Sequence, residues 1–132
     1  MSKASFTLQK SKLFQRAVLF AMINPQPKGA GFAGVKHNVY LENFEDKQGF
    51  KLKLRGQGSL KYWKVVLTES EFLGLDKLYT YEVKFPVGQD GVDFETIKLL
   101  FVDFKAYYRG QEVTSAPPMD LSFWTPNYWW GL

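Results

Sequence analysis

The chain has 132 residues, with 17 Lys/Arg against 13 Asp/Glu, 17% aromatic residues, one histidine and no cysteine. The length suffices for a real core in one domain. The missing cysteines exclude disulfide scaffolds, thiolate-held zinc and thiol catalysis, and the lone His37 excludes a multi-histidine metal site.

At the N-terminus the pattern is two-sided. Leu13, Phe14, Ala17, Val18, Phe20 and Ala21 fit helical spacing, while Phe14, Arg16, Val18, Phe20 and Met22 alternate as a strand. A long, bent first strand is favoured, because the neighbouring signals are β. The longest apolar run, residues 17–23, is too short to span a bilayer. Asn24-Pro25-Gln26-Pro27 follows it in place of a small-residue cleavage site, so neither a secretory leader nor a membrane partner is expected.

Residues 24–38, NPQPKGAGFAGVKHN, form a Gly/Pro-rich loop that reads as a mobile β-wing or a plain connection. Strands are expected at 38–44, 50–55 and 60–67. In the second of these Phe50, Leu52 and Leu54 alternate with Lys51, Lys53 and Arg55. Asp46-Lys47-Gln48-Gly49 and Gln89-Asp90-Gly91 read as hairpin turns, and residues 55–59 as a break or bulge. Thr68 followed by Glu71 fits a capping box, which predicts one short helix near 68–78. Alternation resumes over 78–87 and again over 99–108. The tail from Ser115, with Phe123, Trp124, Tyr128, Trp129 and Trp130 among Pro117, Pro118 and Pro126, cannot be helical. It packs along its own domain, clasps a second protomer or docks a partner. The organisation expected is a domain over 1–114 and an aromatic arm over 115–132. The fold expected is mostly β: a small antiparallel Greek-key barrel of OB type.

Charge points to function. Up to Thr68 there are 12 Lys/Arg against three Asp/Glu; beyond it there are five against ten. A basic half bearing exposed rings suits a polyanion with flat faces, and single-stranded nucleic acid is the commonest. Lys51, Lys53 and Arg55 stand about 7 Å apart on one strand face, close to the spacing of phosphates on an extended strand, and Lys61 and Lys64 continue the stripe. Tyr40, Tyr62, Trp63 and Phe32 offer stacking surfaces. Lys28 and Lys36 join from the glycine loop, and Tyr107 and Arg109 from the end of the last alternating segment. Each set has an ordinary alternative, namely solvated lysines and rings that fill a core. The acidic clusters Glu45-Asp46 and Asp90, Asp93, Glu95 sit in turns, where carboxylates are common, so catalysis is not expected and no cofactor is implied.

Residues 78–110, LYTYEVKFPVGQDGVDFETIKLLFVDFKAYYRG, and LLFVDFKAYYRG most closely, resemble the C-terminal hairpin of the small single-stranded-DNA-binding proteins of filamentous bacteriophages. The resemblance implies an OB-like barrel that dimerises. It also implies cooperative, sequence-independent coating of a displaced strand during DNA replication, in the cytoplasm of a bacterial host. The expected partner is therefore single-stranded DNA, or RNA, with a homodimer or cooperative oligomer of the chain. Two other classes stay open: a phage or cell-surface structural β-domain with an aromatic assembly arm, and a carbohydrate-binding β-sandwich.

Overall fold

A computed structural model describes residues 2–24, 27, 33–36, 41–42, 45–68, 79–119 and 123–131. Strands dominate and pair antiparallel throughout. The chain begins with a hairpin of β1 (Lys3–Lys10) and β2 (Gln15–Met22), paired from Lys3↔Met22 to Lys10↔Gln15. The strand expectation for this region holds, but residues 11–14 form a turn inside what the alternation presented as one bent strand.

The largest sheet runs β10 (Gln111–Glu112), β9 (Lys105–Tyr108), β7 (Thr80–Pro86), β6 (Tyr62–Thr68), β11 (Phe123–Gly131) and β3 (Ala33–Lys36), and β4 (Leu41–Glu42) also pairs β11. A separate ribbon pairs β5 (Gly49–Leu54) with β8 (Glu95–Leu100). The chain is mostly β, as its alternation predicts. Among the described residues the strands form open sheets, and no closed barrel is present. The helix expected near 68–78 lies outside the described residues, except that Thr68 closes β6.

The ribbon packs on the large sheet. Val65, Leu67, Tyr81, Phe85 and Val87 from the sheet side meet Leu99 of β8, with Phe50, Leu52, Leu54 and Ile97 of the ribbon packed against them. Alternation supplies this arrangement. Phe50, Leu52 and Leu54 pair across to Leu99, Ile97 and Glu95, while Trp63, Val65 and Leu67 pair to Phe85, Val83 and Tyr81, so each layer turns one apolar face inward. Leu67 is sealed at 0% exposure.

Two connections expected to be hairpins are crossings between layers. The turn after Gly88 leads from β7, in the sheet, to β8, in the ribbon, and Asp46–Gly49 leads from β4 to β5, whose partner is β8. Neighbouring strands with a glycine turn between them look like a hairpin in sequence, but here the apolar faces find each other across the sandwich instead. Asp90 Oδ1 accepts from the Val92 amide at 3.0 Å, and Gly91 takes φ +66, so the crossing is a built turn. A true two-residue hairpin joins β9 to β10 at Arg109-Gly110, with φ +49 and +77, the positive pair a type I′ turn needs.

The alternation over 99–108 also conceals a break. β8 stops at Leu100, a 3-10 turn covers Phe101–Asp103, and β9 continues in the other layer. Phe50 meets Phe101 and Phe104 edge-on around this corner, and Phe101 and Phe104 are tilted against each other, with centroids 5.2 to 6.4 Å apart; the Phe101 amide donates to the Gln48 carbonyl at 2.9 Å.

The proline- and aromatic-rich segment after Ser115 enters the large sheet as β11, hydrogen-bonded to β6 on one side and β3 on the other. Its register shifts between Pro126 and Tyr128, where proline has no amide to give the ladder. The Tyr81 hydroxyl donates to the Pro117 carbonyl at 2.9 Å, and Met119 packs on the core.

Leu67→Ala is expected to cost about 2–5 kcal/mol in urea unfolding; a loss well under about 1 kcal/mol would mean that the interior is not closed there. A Cβ at Gly49 would run into the Leu99 carbonyl oxygen and stand 2.8 Å from Leu100 Cα. Gly49→Ala should therefore lower the urea midpoint through an overpacking cost of about 1–3 kcal/mol, and an unchanged midpoint would show that β5 and β8 do not approach so closely.

Candidate functional site: a cationic ribbon face

Because the inner face of the β5–β8 ribbon is apolar, its other face carries the charges. Gly49, Lys51 and Lys53 stand opposite Leu100, Lys98 and Thr96. Arg55 continues the row just past β5. Lys51, Lys53, Arg55 and Lys98 are all exposed. Lys51 and Lys98 are direct cross-strand partners, which puts the Cβ atoms of two like-charged side chains about 5 Å apart. That placement costs stability in water and is relieved by an anion or a carboxylate-bearing partner.

One end of the row is fixed by an aromatic ring. The Lys53 ammonium lies 5.9 Å and the Arg55 guanidinium 5.0 Å from the centroid of Phe94, a ring still 51% exposed. Leu100, also exposed, ends the opposite side. Among the described residues no carboxylate occupies an outward paired position of the ribbon; Glu95, on the inward register, accepts from the Gly88 amide at 2.7 Å. The face thus combines four exposed cations with an exposed apolar group at each end.

The rest of the predicted stripe lies elsewhere. Tyr62 and Lys64 belong to the face of β6 that points away from the ribbon, since Trp63, Val65 and Leu67 point toward it. Trp63 is half-buried and packs against the core on the inward face of β6. Lys64 is ion-paired to Glu82 at 2.6 Å, and Glu82 also accepts from the Thr80 hydroxyl at 3.3 Å. Tyr62, 46% exposed, carries the Lys84 ammonium 4.5 Å over its ring. Lys61 is exposed before β6 and its carbonyl accepts from Val87. Tyr107 is half-buried in β9, its carbonyl accepting from Thr80, and Arg109 sits in the β9–β10 turn over the Tyr108 ring at 5.2 Å. Lys36 ends β3 opposite Tyr128. Lys28, Phe32 and Tyr40 lie outside the described residues.

Among the described residues the predicted stripe is therefore divided between two faces and does not form a single track. Sequence alternation assigns the two faces of each strand, but β5 and β6 lie in opposed layers, so their outward residues point to opposite sides of the sandwich. Lys98 and Phe94 escaped sequence reading. Both lie in residues 94–98, just before the alternation over 99–108, and only the β5–β8 register brings them to Lys51 and Lys53.

Comparison with known proteins agrees with this correction. No curated protein matches the chain. Residues 1–123 match the family described as Complex I intermediate-associated protein 30, CIA30. That match overturns the resemblance to filamentous-phage single-stranded-DNA-binding proteins drawn from residues 78–110. With it go strand coating in phage replication, the DNA or RNA partner and the cooperative self-assembly on it. The structural-arm and carbohydrate-binding alternatives gain no support from it either. The match spans nearly the whole chain, from the β1–β2 hairpin to the start of β11, and on that extent the chain belongs to the CIA30 family.

Proposed function

We propose that the chain is a non-catalytic binding module that engages an assembly intermediate of respiratory complex I. The observation that carries this reading is the family match over residues 1–123. The geometry supports a docking role. A closed two-layer core presents a preformed face of four cations framed by Phe94 and Leu100, and no folding step is needed to create it. Such a face recognises an acidic protein surface, steering encounter by charge and gaining affinity where rings and aliphatic groups are covered. Three polar side chains near it are used in holding the turn: Glu95 accepts from the Gly88 amide, Asp90 from the Val92 amide, and the Gln89 amide donates to the Leu60 carbonyl at 2.6 Å.

In cells lacking the endogenous gene, the tagged chain should co-migrate with a complex I intermediate on native gels, and its loss should lower assembled complex I. Lys51→Glu/Lys53→Glu/Lys98→Glu should reduce that co-migration by about tenfold or more while leaving the urea midpoint within about 1 kcal/mol. Normal complex I levels without the chain would overturn the assembly reading; undiminished co-migration of the triple variant would overturn the role of the ribbon face.

A further inference from the structure

The β1–β2 hairpin exposes apolar side chains that the sandwich does not use. Leu13 is 95% exposed at its tip, with Phe14 beside it. Phe6, Leu8, Val18, Phe20 and Met22 are exposed along the strands. The register puts Phe6 and Leu8 on one face and Val18, Phe20 and Met22 on the other, so the apolar groups surround the hairpin instead of lining one side. Leu13 and Phe14 lie in the turn beyond the last pair, Lys10↔Gln15, where a fluid apolar phase can cover them from all sides.

The charges at the tip are of one sign. Lys10, Lys12 and Arg16 ring Leu13 and Phe14, and no Asp or Glu occurs in residues 1–41. Three of the four amides of residues 11–14 are already bonded within the turn. The Ser11 amide donates to the Phe14 carbonyl at 2.8 Å, and the Ser11 hydroxyl oxygen accepts from the amides of Leu13 and Phe14, each at 3.2 Å. Arg16 is likewise arranged, with Nε donating to Gln9 Oε1 at 2.6 Å and its guanidinium 5.2 Å over the Phe14 ring. Amides bonded within the turn are what entry into hydrocarbon demands, because no water is there to replace the bonds. Among the described residues the strand edges of the hairpin pair with no further strand, which restricts entry to the tip, about 5–10 Å into the headgroup boundary.

We infer that the β1–β2 hairpin is a membrane-surface anchor: Leu13 and Phe14 enter the interface of an anionic phospholipid bilayer while Lys10, Lys12 and Arg16 bind its headgroups. The inference is independent of the assembly reading. Long basic side chains suit this position, since their stems lie in the apolar boundary and their charges reach the phosphates.

The test is co-sedimentation of the whole chain with vesicles of phosphatidylcholine alone and with about 30% phosphatidylglycerol. Binding is expected only to the anionic vesicles, weakening with salt, and Leu13→Glu should lower the partition coefficient by about tenfold or more. Leu13 is too exposed for this change to alter folding, which its urea midpoint verifies. The absence of native cysteine permits a second readout. An environment-sensitive dye on Leu13→Cys should shift to the blue with anionic vesicles, whereas the same dye on Val92→Cys, at a site 68% exposed beside the ribbon face, should not. A chain that stays in the supernatant with both vesicle types, equal binding by Leu13→Glu, or a shift at Val92 without one at Leu13 would each overturn the inference; the first would leave the hairpin to a protein partner, the last would move the contact to the ribbon.

Discussion

The apposition of the β5–β8 ribbon on β6 and β7 is the constraint from which the other features follow. It seals Leu67, Tyr81, Phe85 and Leu99 between two antiparallel layers. With a period of two along each strand, fixing the inner face fixes the outer one. Lys51 and Lys53 are outward because Phe50, Leu52 and Leu54 are inward, and they meet Lys98 because β5 pairs β8 in that register. The same apposition sends Tyr62 and Lys64 to the far side, where Lys64 finds Glu82. One hydrophobic contact between layers therefore both creates the cationic face and divides the basic half of the sequence.

How much of this was legible beforehand varied with the range of the interaction. Strands β5, β6 and β7 follow from local alternation, which depends only on neighbours in sequence. The side-chain faces of β5 also follow. Pairing does not, because Asp46–Gly49 and Gln89–Gly91 carry hairpin chemistry at points where the chain changes layer. A 3-10 turn at Phe101–Asp103 is invisible to a period-two pattern that continues in phase through it. The residues of the candidate face divide in the same way: Lys51, Lys53 and Arg55 are visible along one strand, whereas Lys98 and Phe94 join them only through a long-range register. The phage resemblance failed for a related reason, since residues 78–110 span β7, β8 and β9, which lie in two different layers and form no hairpin together.

Membership of the CIA30 family and the geometry of the surface bear on each other. The proposed association with an intermediate requires a chain that is stable alone and still offers surface to a partner. The core meets the first need without cysteine or metal ligation among the described residues. The second is met at two separate places: a cationic sheet face with a ring at one end, and a hairpin whose apolar tip is ringed by cations. The first is suited to acidic protein and the second to an anionic lipid surface. A module with both could hold a protein partner while resting at a bilayer.

The layer arrangement is open to a direct distance measurement, since cysteines can be placed singly in a chain that has none. Spin labels at Lys53→Cys and Lys84→Cys sit on the outer faces of the two layers. The arrangement described here predicts a separation beyond about 20 Å, from the ~10 Å between stacked sheets plus the outward reach of both labels. A sharp distribution below about 15 Å would place both positions on one continuous face and contradict the account.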